Sequence, residues 1–212
     1  YDALSMPIYN AVAYEFDNAE VMADAFCGRI DAPDYSRVEN PTVTNFELRV
    51  KALTGAEHVI ALNSGMAAIS NTLFAIVEQG KNVITSRHLT STLSRFGVET
   101  KLCDLTNVDA VEKLVDDNTC CLFLEVMTNP QLEVVDVRAL TEMAHRHGIP
   151  VIADTTIIPF TQFSAKDLGV DVEVISSTKY ISGGATSLGG LIIDYGRFPF
   201  IGKRLLNEML FN

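Results

Sequence analysis

The stretch SSTKYISGGATSLGG, residues 176–190, places a single lysine between hydroxyl side chains and a glycine-rich segment. Lys179 follows Ser176, Ser177 and Thr178, and an apolar stretch typical of a buried strand precedes them. A lysine at a strand end is usually a solvated charge at the rim of a sheet. In a partly buried, hydroxyl-lined pocket, however, the pKa of the amine falls, and the amine can then form a Schiff base with a carbonyl compound.

A second motif could bind a phosphate group. The sequence NSGM, residues 63–66, closes one predicted strand and opens a predicted helix. The free N–H groups and the dipole of a helix start suit an anion, and Gly65 lets that anion approach the backbone closely. Ser176 and Thr178 could add hydroxyl donors to the same anion. Taken alone, the motif favours an ordinary helix start over a phosphate site.

Two polar residues follow other apolar strands. Asp154 ends the stretch VIAD and is followed by Thr155 and Thr156. A buried carboxylate is costly unless a cationic or hydrogen-bonding group meets it, so Asp154 is either a turn or cap residue or the partner of a ligand. Asn129 lies between the stretch LFLEVMT and Pro130, where asparagine commonly forms a turn.

These groups become specific when they are taken together. In a sheet of parallel strands, ligands bind at the edge where the carboxyl ends of the strands meet. A phosphate cradle, a carboxylate able to hold a proton on a pyridine nitrogen, and a Schiff-base lysine are the requirements of pyridoxal phosphate. The sequence therefore predicts a site for this cofactor, with Lys179 as the catalytic residue.

The elements that would position the site alternate along the chain from residue 58 onward. Near-continuous Val, Ile and Leu stretches alternate with amphipathic stretches, which predicts an α/β fold with a mostly parallel, seven-stranded sheet between helices. The predicted strands are 58–64, 82–86, 98–104, 119–127, 150–156, 170–178 and 187–196. The predicted helices are 65–79, 108–117 after Asn107, and 137–147 between Asp136 and Gly148.

The first fifty residues have a different pattern. They contain scattered apolar residues, turn signals at 31–34 and at Asn40-Pro41, and one amphipathic stretch at 18–27. We therefore expect two regions: an N-terminal arm and helix, residues 1–50, and an α/β domain, residues 51–212.

One predicted connection is short. If the strands at 82–86 and 98–104 are parallel neighbours, the crossover between them needs about a dozen residues, usually with a helix. RHLTSTLSRFG, residues 87–97, allows only a turn or two of helix. Either this crossover is unusually tight or residues are missing from the sequence, and we favour missing residues.

Composition excludes several classes of partner. A formal net charge of −11 without a basic stripe argues against nucleic acid, and no apolar run reaches the length of a membrane span. The N-terminus has no signal-peptide pattern. No pair among Cys27, Cys103, Cys120 and Cys121 has the spacing of a zinc site, so we expect reduced core thiols in a cytoplasmic protein without a metal.

Five stretches resemble one family, the pyridoxal-phosphate enzymes of cysteine and methionine metabolism. This family includes cystathionine γ-synthase, the cystathionine lyases, methionine γ-lyase and O-acetylhomoserine sulfhydrylase. The stretches occur in the family's order and cover most of the chain: YSRVENPT (35–42), ALNSGMAAI (61–69), EVMTNPQLEVVD (125–136), VIADTT (151–156) and SSTKYISGG (176–184). The resemblance implies the large domain of the fold-type I pyridoxal-phosphate enzymes.

The resemblance also implies individual roles. Lys179 would hold the cofactor as a Schiff base and move protons between substrate carbons, and Asp154 would pair with the pyridinium nitrogen. Tyr35 and Arg37 would reach across a dimer interface to the neighbour's phosphate, so that the arm completes the partner's site. Asn129 would lie near the phenolic oxygen and the substrate carboxylate. The other cofactor-binding residues would be Gly65, Met66, Thr156, Ser176 and Thr178.

Three departures from the family pattern stand out. Relatives usually carry a ring-stacking tyrosine a few residues beyond the position of His88, and HLTSTLSRFG has none. Gly184 stands where many relatives have histidine, and the chain ends at Asn212, where relatives continue into a C-terminal domain. We therefore expect the small C-terminal domain to be lacking.

The predicted function is pyridoxal-phosphate-dependent γ-replacement on an activated homoserine, O-acetylhomoserine, with sulfide or a thiol. SLGGLIIDYGRF, residues 187–198, most resembles the O-acetylhomoserine sulfhydrylase branch. Elimination by a cystathionine or methionine γ-lyase is the nearest alternative, and a non-catalytic, dimerising remnant is another. A nucleotide-binding protein is disfavoured because no G-x-G-x-x-G or Walker pattern follows a strand. We expect a homodimer, or a pair of such dimers.

Overall fold

One sheet of seven strands organises the computed structural model, which describes residues 4–86, 90–158, 160–161, 163–184 and 186–201. Its strands are β1 His58–Leu62, β2 Asn82–Thr85, β3 Glu99–Leu102, β4 Thr119–Glu125, β5 Val151–Asp154, β6 Val172–Ile175 and β7 Gly190–Asp194. Their order across the sheet is β1-β7-β6-β5-β4-β2-β3. β7 runs antiparallel to both of its neighbours, and all other pairs are parallel. The predicted mostly parallel, seven-stranded α/β fold is confirmed.

Helices cover both faces of this sheet. They are α1 Ala19–Phe26, α2 Pro41–Thr54, α3 Gly65–Ile76, α4 Thr90–Leu93, α5 Val108–Glu112 and α6 Val137–Arg146, with short 3₁₀ turns at Ser94–Phe96 and Lys166–Leu168. The strands inside the sheet are mostly apolar because they are largely buried on both sides, whereas the edge strand β3 is partly exposed. One buried cluster joins α3 to Ile152, Val174 and Ile192. The cluster on the opposite face joins α5 and α6 to Leu122, Val151 and Ala153.

Side-chain caps begin the helices where the sequence predicts. Asn107 accepts a hydrogen bond from the N–H of Ala110, and Asp136 accepts one from the N–H of Ala139. Each cap satisfies a donor that has no partner inside the first helical turn. α5 is shorter than predicted, because Leu114 and Val115 donate three residues back instead of four.

The prediction of a turn at Asn40-Pro41 was wrong. Asn40 is the N-cap of α2, where it accepts from the N–H of Thr42, and Pro41 occupies the first helical turn. Proline suits that position because its missing N–H would have no helical acceptor there. The boundary expected after residue 50 therefore falls within α2, whose Val50 packs against Ile175, Leu191 and Ile193.

α3 ends three residues before the predicted end at Gln79. Val77 already has extended backbone angles, φ −78° and ψ 151°, although its N–H still donates to the carbonyl of Leu73. The strand that follows begins at Asn82, so the chain needs this early exit to turn back toward the sheet.

The short crossover does connect two parallel neighbours. β2 and β3 pair in parallel, and the part of their connection that the structure describes contains α4 and one 3₁₀ turn. This matches the turn or two of helix that its length allows. Residues 87–89, including His88, lie outside the described residues.

The four cysteines are free thiols, but they are not all core residues as predicted. Cys121 is buried in β4, whereas Cys103 and Cys120 are half-buried and Cys27 is exposed. Cys27 is exposed because it is the C-cap of α1, which lies outside the main core clusters. Within the described ranges, no helix is long and apolar enough to cross a membrane, and no group of three His, Cys, Asp or Glu could hold a metal ion.

Candidate active site

A cavity of about 250 Å³ opens at the carboxyl edge of the parallel strands. It lies on the face of the sheet that α3 covers, because Asp154 and Val174 are register partners and both line it. Seven of the residues predicted for the site belong to the lining: Gly65, Met66, Asn129, Asp154, Thr156, Ser176 and Lys179. Residues from distant parts of the sequence therefore converge on one cavity.

The start of α3 forms one wall of this cavity. Ser64 is the N-cap and accepts from the N–H of Ala67, while Ala68 donates the first backbone bond of the helix to Ser64. The N–H groups of Gly65 and Met66 precede that bond and have no acceptor within the helix. Together with the helix dipole they make this wall suitable for an anion.

Close backbone packing holds this wall against β6 and β7. A Cβ atom on Gly65 would lie 2.5 Å from Ser176 Cβ and 2.8 Å from Ser176 Cα. A Cβ atom on Gly190 would lie 2.1 Å from the carbonyl oxygen of Ser64. Only glycine fits at either position, and both contacts keep the start of α3 beside the hydroxyl of Ser176.

Asp154 lies at the end of β5 and is half-buried. Its Oδ1 accepts from the N–H of Thr156 at 3.0 Å, so the alternative of a turn-forming aspartate also holds. Thr156 in turn accepts from the N–H of Ser176 at 2.9 Å through its Oγ1. These two bonds tie the end of β5 to the end of β6 at the cavity.

Lys179 lies in a hydrogen-bonded turn directly after β6. Its N–H donates to the carbonyl of Ser176 at 3.1 Å, and Ser182 Oγ donates to its carbonyl at 3.2 Å. The side chain lines the cavity but is exposed, which corrects the prediction of a partly buried lysine. The physical reason is its place: the turn lies beyond the strand, at the open side of the cavity.

Three other predicted residues lie outside the cavity lining. The hydroxyl of Thr178 donates to the carbonyl of Gly189 and accepts from the N–H of the same residue. Tyr35 and Arg37 line a separate open groove of about 850 Å³ beside the end of α1, where the Arg37 guanidinium carbon lies 5.5 Å from the centre of the Tyr35 ring. The structure therefore does not bring these three residues to the cavity of the same chain.

Several residues of the lining were not predicted from the sequence. Glu125 is the polar one: it ends β4 and is the register partner of Asp154, so both carboxylates lie on the same face. A polar residue that ends an apolar strand was the signal that selected Asp154, and it could have selected Glu125 as well. The other missed residues are apolar: Ile69, Met127, Ile157, Val174 and Ile175.

Comparison with known families gives one match along nearly the whole chain. The model of the family described as Cys/Met metabolism PLP-dependent enzyme matches residues 1–206.

Two curated relatives illustrate the likeness. The O-acetyl-L-homoserine sulfhydrylase of Corynebacterium glutamicum is 37% identical over 209 residues, 93% of this chain and 47% of that protein. The L-methionine gamma-lyase of Fusobacterium nucleatum subsp. nucleatum is 36% identical over 203 residues, 91% of this chain and 51% of that protein. The chain spans about half the length of these relatives.

Solved structures give the same result in three dimensions. The O-acetylhomoserine sulfhydrylase of Wolinella succinogenes is 41% identical with a TM-score of 0.71, over 82% of this chain and 57% of that one. A Campylobacter jejuni structure that contains N'-pyridoxyl-lysine-5'-monophosphate is 32% identical with a TM-score of 0.86, over 99% of this chain and 52% of that one.

Proposed function

The chain belongs to the Cys/Met metabolism PLP-dependent enzymes, and from this premise we propose that it carries out γ-replacement on O-acetylhomoserine with sulfide or a thiol. Pyridoxal phosphate is the cofactor of this family. The observation that carries the proposal is the cavity at the carboxyl edge, where Lys179, Asp154 and the start of α3 meet. The alternative is elimination by a cystathionine or methionine γ-lyase, because a methionine gamma-lyase is almost as similar as the sulfhydrylase.

The residues of the cavity fit the phosphate and the ring nitrogen of the cofactor. The N–H groups of Gly65 and Met66 and the hydroxyl of Ser176 would hold its phosphate, where Gly65 leaves no side chain in the way. Asp154 would hold the proton on the ring nitrogen. The N–H of Thr156, which donates to Oδ1, would keep the carboxylate of Asp154 in place. When bound, pyridoxal phosphate supplies a carbonyl that condenses with amines and a ring that accepts electrons from the α carbon of the substrate.

Lys179 would perform two tasks in turn. Its amine would hold the cofactor between reactions, and after the substrate amine replaces it, Nζ would take the α proton and return it later. The exposed position of Lys179 at the open side of the cavity supports this, since the side chain must move aside during each turnover. Asn129 would orient the substrate carboxylate from the loop after β4.

We also propose that the active unit is a homodimer or a pair of dimers in the cytoplasm. Tyr35 and Arg37 lie away from the cavity of their own chain, so they would serve the partner's phosphate. The N-terminal region exposes large apolar side chains that a partner would cover: Leu4, Ile8, Val12 and Phe26. The four free thiols support a cytoplasmic location.

The test of the cofactor site is the visible absorbance spectrum of the purified protein with pyridoxal phosphate. We expect a band that Lys179→Ala loses and that the control variant Lys113→Ala keeps, because Lys113 is exposed at the end of α5, away from the cavity lining. If the folded wild-type protein shows no band, the proposal is wrong and the non-catalytic remnant is correct.

The test of the reaction is product analysis with O-acetylhomoserine in the presence and absence of sulfide. γ-Replacement releases acetate and yields homocysteine. Elimination releases acetate and ammonia and yields 2-oxobutanoate with no need for sulfide. Homocysteine as the main product supports the sulfhydrylase; 2-oxobutanoate at an equal rate with and without sulfide identifies a lyase instead.

A further inference from the structure

A carboxylate lies inside the sheet directly behind the cavity. Glu173 of β6 is fully buried, with no exposed surface. Its register partners are Ala153 and Ile193, one residue before Asp154 and one residue before Asp194. Because neighbouring residues of a strand point to opposite faces, Glu173 lies on the face opposite to Asp154 and the cavity.

Both oxygens of Glu173 bind hydroxyl groups of the adjacent strands. Oε1 accepts from the hydroxyl of Thr155, which directly follows β5, and Oε2 accepts from the hydroxyl of Tyr195 at 2.6 Å, directly after β7. Glu173 therefore links β6 to the residues that directly follow β5 and β7. Burial raises the pKa of Glu173, and the two hydroxyls oppose this increase.

The hydrogen bond between Glu173 and Thr155 holds the segment directly after Asp154. Thr155 lies between Asp154 and Thr156, and its N–H also donates to the carbonyl of Val174 at 3.1 Å. Two contacts thus hold the backbone of Thr155 against β6, one through the main chain and one through Glu173. Thr156, which binds the N–H of Ser176, is the next residue along.

We propose that Glu173 is a positioning residue. Through Thr155 it holds the end of β5 from the face of the sheet opposite to the cavity, and so sets the position from which Asp154 meets the cofactor nitrogen. This inference depends on the proposed function, since it assumes that the cavity holds pyridoxal phosphate. A buried carboxylate with no cation among its described partners is costly, and an apolar residue of similar volume is often neutral or stabilising at such a place. The free-energy cost of burying Glu173 is explained if its two hydroxyl contacts position Asp154 rather than stabilise the fold.

The test compares cofactor affinity with the stability of the unloaded protein. Glu173→Met keeps the volume and removes the acceptor, while Glu173→Gln keeps an acceptor for Thr155. We expect Glu173→Met to raise the dissociation constant of pyridoxal phosphate roughly tenfold, with the melting temperature of the unloaded protein changed by no more than a few degrees. We expect Glu173→Gln to restore the affinity to within about threefold of wild type.

Thr155→Val tests the same contact from its other side. It should weaken cofactor binding as much as Glu173→Met does, and the double variant should be no weaker than either single variant, because one contact is lost in all three. Thr141→Val is the matched control: it removes a buried hydroxyl that donates to the carbonyl of Leu168, remote from the cavity, and should leave the dissociation constant unchanged.

Three outcomes separate the possibilities. If wild type binds no pyridoxal phosphate, the proposed function itself is wrong. If wild type binds it and both Glu173→Met and Thr155→Val bind it equally well, only the positioning role is wrong. A loss of affinity that Glu173→Gln does not restore also overturns the positioning role, because the hydrogen bond would then not be its cause.

Discussion

Two aspartates on adjacent strands lie at opposite edges of the sheet, and their surroundings differ. Asp154 ends β5 at the carboxyl edge and is half-buried in the lining of the cavity. Asp171 directly precedes β6 at the amino edge, and only 1% of its side chain is exposed. Its Oδ2 accepts from His145 Nε2 at 2.8 Å and from the N–H of Val151 at 2.7 Å.

The difference lies in what surrounds each carboxylate. The chain encloses Asp171 completely, so that burial raises its pKa while Val151 and His145 lower it. Its other oxygen, Oδ1, has no hydrogen-bond partner within the part of the chain that the structure describes. At the carboxyl edge, Asp154 instead lines the open cavity and is only half-buried. The two edges of one sheet thus divide their tasks: one edge stabilises the fold, and the other leaves room for a ligand.

The largest expected effect is a loss of turnover at the carboxyl edge. Asp154→Ala removes the group proposed to hold the proton on the ring nitrogen, and we expect kcat to fall by roughly 10²–10³. The melting temperature of the unloaded protein should change little, because Asp154 is only half-buried. Steady-state kinetics and a thermal melt of the same preparation check both parts. A large fall in melting temperature would show that Asp154 stabilises the fold as Asp171 does.

Asp171→Ala should instead lower the stability of the fold and leave cofactor binding unchanged. It leaves the N–H of Val151 and the ring of His145 without their carboxylate, and we expect the free energy of unfolding to fall by about 3 kcal/mol. Urea unfolding measures this loss. The absorbance of bound cofactor per folded molecule should equal that of wild type. A variant that is stable but cannot bind the cofactor would contradict the division between the edges.

Adding a methyl group at Gly65 should weaken cofactor binding at the carboxyl edge, with a smaller effect than the two aspartate substitutions. In Gly65→Ala the new Cβ meets Ser176 Cβ and Cα, so α3 or β6 must shift. We expect the dissociation constant of pyridoxal phosphate to rise roughly 30-fold, equivalent to about 2 kcal/mol. Gly148→Ala is the control, since its Cβ would meet no atom within 4 Å and only its φ of +69° is unfavourable. That control should lose stability by roughly 1 kcal/mol and bind the cofactor as wild type does.

The smallest effect concerns pH and Glu173, which lies between the two edges. Its pKa is raised in the folded protein because it is buried, so the folded state binds this proton more tightly than the unfolded chain. The resulting stabilisation is complete below the unfolded pKa of about 4.3 and is lost as the pH rises through the folded pKa.

Glu173→Gln has no such proton to lose. We therefore expect it to gain stability relative to wild type as the pH rises from about 4 to 7.5, by about 1.4 kcal/mol for each pH unit that separates the folded from the unfolded pKa of Glu173. Urea unfolding of both proteins across this range measures the difference, in which the other buried carboxylates cancel. A difference that stays constant with pH would show that the pKa of Glu173 is not raised.

The sequence predicts the sheet well because its inner strands are buried on both faces and are therefore mostly apolar. Helix starts are also local, since Asn107 and Asp136 each cap within three residues. Helix ends were harder to predict. The chain leaves the helical conformation of α3 at Val77, and no glycine or proline marks that position. α2 was missed because its mixed surface gives only a weak amphipathic pattern, although Asn40-Pro41 is also a good helix start.

The site was predictable in composition but not in exposure. Strand ends pointed to Asp154, Asn129 and Lys179, and the structure places all three in one lining. The exposure of Lys179 depends on the path of the chain after β6, which residue types alone do not determine. The role of Glu173 could not be predicted from the sequence, because it depends on the contacts with Thr155 and Tyr195, which only the structure shows.

The order of the strands also has a consequence for how the protein folds during synthesis. β1 lies at one edge of the sheet, and its strand neighbour is β7, the last strand among the residues that the structure describes. The ribosome must therefore complete the five intervening strands before β1 can pair. Contacts between such distant segments form slowly, and an unpaired strand edge favours aggregation. The pairing edge of β1 therefore stays open until the chain has been synthesised past Gly190.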